Sequence, residues 1–277
     1  MTYLLAGGCG FSDYNFKLDH KPAIDTSYPK WPTILAKRLN ISKIINTAKA
    51  GGSNELVFGA VFDNIVISKP KVVTILMTAW DRTTPYGYPS NPFEVAHLLI
   101  QKAYPSKNES MDDIEALWKY SKDGWPLSHY IIKHHMTVKE IVNNNLRMLY
   151  SLQEMCKQLS INLLVAQAFD PIKYSAITKL GRIAVNPLDP RISLGWLYFP
   201  KVVSDSVYFD KIEWDKITIG GPFFEEIGGR HMTDMLNSQS DPKLRDQLWI
   251  PNDNHPSAKG HEAIAQIFYE EYKKRYV

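Results

Sequence analysis

Four short apolar runs, each followed or preceded by a stretch with helical spacing, restrict this chain to a small set of folds. Val72-Val73-Thr74-Ile75-Leu76-Met77 is the clearest of them, an uncharged run of the length expected for a strand buried on both faces. The segments beginning at Tyr3, at Ile44 and at Ile161 read the same way. Between them, Ile34, Leu35 and Leu39, then Leu56, Val57, Ala60, Val61 and Ile65, recur at helical spacing. A longer stripe of Val138, Ile141, Val142, Leu149, Leu152, Cys156 and Leu159 follows. Thr137-Val138-Lys139-Glu140 opens it as a capping box, in which hydroxyl and carboxylate satisfy reciprocal orphan N–H groups. Strands alternating with helices build a parallel sheet covered on both faces. The expectation is one α/β domain over residues 1–277, a three-layer α/β/α stack around a doubly wound parallel sheet.

Two stretches interrupt the alternation. Residues 83–136 hold Trp118, Trp125, His129, His134 and His135, and are too long for a plain connection, so they read as an insertion forming a lid or substrate wall. From Pro171 to Pro251 the pattern weakens, with a strand expected at 217–220, a short helix over 223–235, and Trp196 and Trp214 as wall or padding. A last helix is expected from Ser257 to Arg275, with Ile264, Ile267, Phe268 and Tyr272 on its apolar face.

Composition excludes several kinds of function. The formal net charge of +3 is dispersed, so neither nucleic acid nor an anionic membrane is implied as a partner. Cys9 and Cys156 have no zinc-ligand spacing, and the histidines lack a helical pair with an acid, so no metal site is expected. The two lone cysteines suit a reduced, cytoplasmic protein without a disulfide framework. Leu5-Ala6-Gly7-Gly8-Cys9 has a trace of a lipoprotein cleavage site, but no basic residue and no adequate apolar region precede it. No run approaches the roughly 20 apolar residues of a membrane span.

Two stretches carry chemistry. The first strand runs into Gly7-Gly8-Cys9-Gly10-Phe11-Ser12-Asp13, a turn that would expose backbone N–H groups at the carboxyl edge of the sheet, where ligands of open α/β folds bind. Near the other end stands Asn252-Asp253-Asn254-His255-Pro256, a histidine with a carboxylate two residues earlier, the makings of a general base with an orienting acid. Together they resemble the first and last blocks of the SGNH (GDSL-like) hydrolases, in the phage and bacterial variant whose first block reads Gly-Cys-Ser-Phe. Gly8-Cys9-Gly10-Phe11 superposes on that block with Gly10 where the family has serine. Trp31-Pro32 and Asn46-Thr47-Ala48-Lys49-Ala50-Gly51-Gly52-Ser53-Asn54 are similar to the stretches that follow in such members.

The resemblance implies a flavodoxin-like sheet order and a set of roles. Gly10 would be the vacant nucleophile position, His255 the base and Asp253 its orienting acid, although the family's acid usually stands where this chain has Asn252. The Gly52 N–H, or that of Gly51, would face the oxyanion, with Asn54 beside it. Read from the residues alone, Ser53 or Asn54 is equally an N-cap. Trp80 stands at the family's asparagine donor position, as a replacement donor or as a pocket wall. Arg82 would bind an anionic substrate group, or pair with Asp81 or Asp13. No cofactor is implied. The substrate class is a small-molecule or saccharide ester, such as an O-acetyl group. Three readings stay open: an ester hydrolase or acyltransferase, a binding module that has lost catalysis, and a structural component of a larger assembly.

Overall fold

Alternation along the strands sets the architecture. In β1 (Tyr3–Gly8), Leu4 and Ala6 face one side and Leu5 the other. In β3 (Val72–Met77), Val73, Ile75 and Met77 share the side of Leu5, while Val72 and Leu76 share that of Leu4. In β4 (Asn162–Gln167), Leu163 and Val165 divide from Leu164 and Ala166 likewise. A strand apolar on both faces must be covered twice, and the helices supply both covers. The computed structural model describes residues 2–17, 24–80, 138–169, 171, 199–238, 242–251, 253 and 255–277. Arg82, the expected insertion at 83–136, the Thr137 capping residue, Trp196, Asn252 and Asn254 lie outside the described residues.

One face is covered by α2 (Asn54–Ser68) and α3 (Val138–Gln158), through Val57, Phe58, Val61, Ile65, Leu146, Leu149 and Leu152. The other is covered by α1 (Trp31–Arg38) and by the last helix, Ala258–Tyr276, where Trp31 stacks on Phe268 at 4.5 Å between ring centroids. Each such fully buried side chain contributes about 1.5–3 kcal/mol relative to exposure. Cys156 belongs to this core, and burial pushes its thiol pKa up to about 12, so it is inert at neutral pH.

The sheet has five parallel strands, in the order β2-β1-β3-β4-β5, with β2 at Lys43–Asn46 and β5 at Thr218–Ile219. Leu5 is in register with Ile45 on one side and Val73 on the other. The chain leaves β1 toward β2 and returns across it to β3. The loops after β1 and β3 therefore diverge and open a crevice at the carboxyl edge.

Two boundaries differ from the sequence reading, which places the first helix over Thr33–Leu39, opened by Trp31-Pro32, and another over 223–235. α1 starts at Trp31, with Pro32 inside its first turn, where a missing N–H costs nothing. The helix expected over 223–235 is instead a 3₁₀ turn, Glu225–Ile227, and a separate helix, Met232–Asn237. Phe223 (φ 69°) and Gly228 (φ 83°) are left-handed, which stops a helix at either side of the 3₁₀ turn. Among the described residues no helix is long and apolar enough to cross a membrane, and no group of three or more His, Cys, Asp or Glu is placed to hold a metal ion.

Candidate active site

The turn after β1 is drawn tight by two hydrogen bonds, Ser12 N–H and Asp13 N–H both donating to Cys9 O at 2.8 and 3.1 Å. Asp13 ties it to the next loop, because its Oδ2 accepts from Ala50 N–H at 2.8 Å. Lys49 N–H donates to Gly8 O at 3.1 Å, so the stretch that holds Gly51 and Gly52 is fastened beside the turn.

The histidine arrives from the far end of the chain on a small hairpin. Ile250 N–H donates to His255 O and Ser257 N–H to Leu248 O, at 3.0 and 2.9 Å, with Trp249 and Pro256 bridged between them. Within it, Asp253 Oδ1 accepts the His255 backbone N–H at 2.8 Å and lies 2.6 Å from the ring Nδ1. An acid two residues before the histidine thus reaches Nδ1 because an Asx turn folds it back. A carboxylate only accepts, so this contact places the imidazole proton on Nδ1 and leaves Nε2 as the basic atom.

Nε2 points at Gly10. A Cβ built on Gly10 would stand 2.9 Å from His255 Nε2 and 3.3 Å from its Cδ2. The two ends of the chain therefore meet atom to atom at the carboxyl edge, and the imidazole occupies the space a side chain at position 10 would need. Neighbouring nucleophiles are turned away. Ser12 is fully buried and its Oγ accepts from Trp31 Nε1–H at 2.9 Å, and Cys9 is 2% exposed.

The remaining candidates have other employment. Gly52 N–H donates to Lys49 O at 3.0 Å, so in this structure that donor is engaged within its own loop. Among the described residues neither the Gly10 N–H nor the Gly51 N–H has an acceptor, so both stay available as donors. Asn54 is a clamp rather than a ligand: its Oδ1 accepts from Thr78 N–H at 2.9 Å, and its Nδ2 donates to Thr78 O and Asn145 Oδ1 at 3.1 and 2.7 Å. It fixes the start of α2 to the end of β3, while Ser53 is the N-cap, accepting from Leu56 N–H at 3.4 Å. Trp80 is 1% exposed and its Nε1–H donates to Gln167 Oε1 at 3.0 Å, so it is a core residue and neither a donor nor an open wall.

Asn54→Ala is expected to strand Thr78 N–H and Asn145 Oδ1, at about 1–3 kcal/mol for each buried group left unpaired. A total loss of about 3 kcal/mol, seen as a melting temperature roughly 6–10 °C lower, is the outcome to measure.

Several residues behind the site carry no sequence signal. Tyr28 OH donates to Pro256 O at 2.9 Å, and burial, then the charges of Asp25 and Asp253, push its pKa up to about 12. Lys30 is buried with Nζ donating to Thr26 O at 2.8 Å and lying 4.1 Å from the Tyr28 ring centre, and burial lowers its pKa. His261, one helical turn into the last helix, accepts from Trp31 N–H through Nδ1 at 3.3 Å. Burial, then the charges of Lys30 and His255, push its pKa down to about 3.

A histidine neutral when folded but basic when unfolded costs stability as pH falls. Above its unfolded pKa of about 6.5 neither state is protonated; below it the unfolded chain gains a proton first, and the loss stops only near the folded pKa. At pH 4.5 this amounts to about 2.5 kcal/mol, from roughly 1.4 kcal/mol per pH unit. His261→Gln, which keeps an acceptor for Trp31, is expected to flatten that part of the acid limb in urea unfolding at pH 7 and 4.5.

Fold and site together define an α/β protein with an acid–histidine dyad facing a glycine turn at the carboxyl edge of a parallel sheet. No protein-family model matches the chain, and no curated protein matches it. Among solved structures it is similar to TesA, at 11% identity over 99% of both chains and a TM-score of 0.44. It is also similar to the lipase/acylhydrolase from Enterococcus faecalis, at 13% identity over 99% of this chain and 97% of that one, with a TM-score of 0.46. A third is a catalytic mutant of Axe2, an acetylxylan esterase from Geobacillus stearothermophilus, at 14% identity, 98% and 93% coverage and a TM-score of 0.44.

Proposed function

We propose that this is an SGNH-type site of an ester hydrolase or acyltransferase, acting on an O-acyl ester such as an acetylated saccharide, with its nucleophile position vacant. One observation carries the reading: Asp253 Oδ1 lies 2.6 Å from His255 Nδ1, while Nε2 lies 2.9 Å from where a Gly10 Cβ would be. Acid, imidazole and nucleophile position stand in the order that acyl transfer through a serine requires. In a chain with serine at position 10, its Oγ would attack the acyl carbonyl, His255 Nε2 would take the hydroxyl proton, and the residue-10 N–H would face the oxyanion. The proton then passes to the leaving alkoxide.

Gly10 itself favours a second reading, a binding module that retains the crevice without turnover. The two are separated by measuring acetate release from an acetylated oligosaccharide, and hydrolysis of short-chain aryl esters, with the native chain, Gly10→Ser, and Gly10→Ser combined with His255→Ala. Retention of the ligand with no release by any of the three favours the binding module.

A further inference from the structure

His255 is held at more points than its acid. The Phe16 ring lies over the imidazole, 4.1 Å between centroids and 28° between planes, and Phe11 meets it edge-on at 5.5 Å and 63°. Phe11 is a fixed wall: it is 4% exposed and packed against Phe169 at 5.6 Å and Trp249 at 6.2 Å. Phe16 is half-buried, on a stretch whose N–H donates to Asp13 O at 3.4 Å and whose carbonyl accepts from Thr26 Oγ1 at 3.1 Å. Its Cδ2 comes within 3.5 Å of the point a Gly10 Cβ would take, so a group that approaches Nε2 beside Gly10 meets this ring.

We infer that Phe16 is the positioning residue of His255, holding the imidazole against position 10 and narrowing the approach to Nε2. The contact with Asp253 fixes one end of the ring and does not by itself set the rotation about that contact. A ring stacked on the face, with Phe11 at the edge, removes the pivot, and the glycine at position 10 leaves room for the Nε2 edge of the imidazole to reach the turn. This deepens the function proposed above, and rests on it only for the catalytic arm of the test.

The probe is diethylpyrocarbonate, which acylates the free nitrogen of a neutral imidazole, with the rate at His255 read by peptide mass spectrometry against His231 in the same sample. A stacked aromatic pair shifts an equilibrium by about three- to tenfold. Phe16→Ala is expected to speed modification of His255 by that factor, Phe16→Leu by nearly as much, and Phe16→Tyr, which keeps the stack, hardly at all. Unchanged rates in a folded Phe16→Ala or Phe16→Leu chain overturn the inference, as does a Phe16→Tyr rate equal to that of Phe16→Ala. Should Phe16→Ala fail to fold, Phe16→Leu against Phe16→Tyr decides it. In a Gly10→Ser background the same substitutions are expected to lower kcat about three- to tenfold with KM unchanged, and tyrosine to restore it. Labelling that responds to Phe16 while no Gly10→Ser chain hydrolyses any ester keeps the positioning role and removes the hydrolase reading.

Discussion

Gly10→Ser is expected to hydrolyse short-chain aryl acetates about a thousandfold faster than the native chain, and His255→Ala in that background to abolish the gain. The base and its acid are already set, with Nδ1 against Asp253 and Nε2 against position 10, where the attacking oxygen is lacking. Removing the serine from an intact triad costs roughly a million-fold in turnover. Two features of this site reduce what its return can yield. A Cβ at position 10 would stand 2.9 Å from Nε2, so the imidazole must first withdraw by a few tenths of an ångström. Gly52 N–H is bonded to Lys49 O and the Asn54 amide to Thr78 and Asn145, so the oxyanion would be held by fewer donors than in a complete site. A missing oxyanion donor costs about a hundred- to a thousandfold. The difference between these magnitudes leaves about a thousandfold. A folded Gly10→Ser chain inert on acetyl and longer acyl esters sinks the hydrolase reading in favour of the binding module.

How far the sequence reaches depends on what kind of information each feature holds. The sheet was legible because burial on both faces writes itself as an unbroken apolar run, as in Val72–Met77, and because α2 and α3 carry their buried stripe at helical spacing. Gly10, Asp253 and His255 were legible through the resemblance of their blocks, and the fold brings these three together. The direction of a hydrogen bond is not written in one dimension. Whether Gly52 N–H faces a crevice or turns to Lys49 O depends on the path of the loop, and Asn54 and Trp80 found partners just past β3, on β4 and on α3 that sequence distance hides. Phe16 gave no signal, since it lies in a polar, proline-punctuated stretch with no period to mark a buried face. The helix expected over 223–235 failed because its apolar residues mimic helical spacing across Phe223 and Gly228, where the backbone turns left-handed.

Asp253→Asn in the Gly10→Ser background is expected to lower kcat about ten-thousandfold while leaving the fold and KM near those of Gly10→Ser alone. The carboxylate has two tasks, and asparagine can perform only one of them. Its amide oxygen can still accept the His255 backbone N–H, the 2.8 Å bond that shapes the hairpin, so the histidine should stay at the end of its turn. Nδ1 at 2.6 Å then meets a neutral group in place of an anion. The imidazolium that forms when Nε2 takes the serine proton loses its stabilising charge. Because the same Oδ1 makes both contacts, an amide flipped to put its N–H against Nδ1 gives up the backbone bond and favours the opposite tautomer, with the proton on Nε2, which then cannot act as a base. Asp253 is 11% exposed on its side chain, so little solvent is at hand to screen or replace that charge. The measurement is kcat and KM for an aryl acetate with Gly10→Ser and with the double variant, alongside their melting temperatures. A loss of less than about tenfold at unchanged stability would mean that Asp253 only shapes the hairpin, and that the dyad is not the engine of the site.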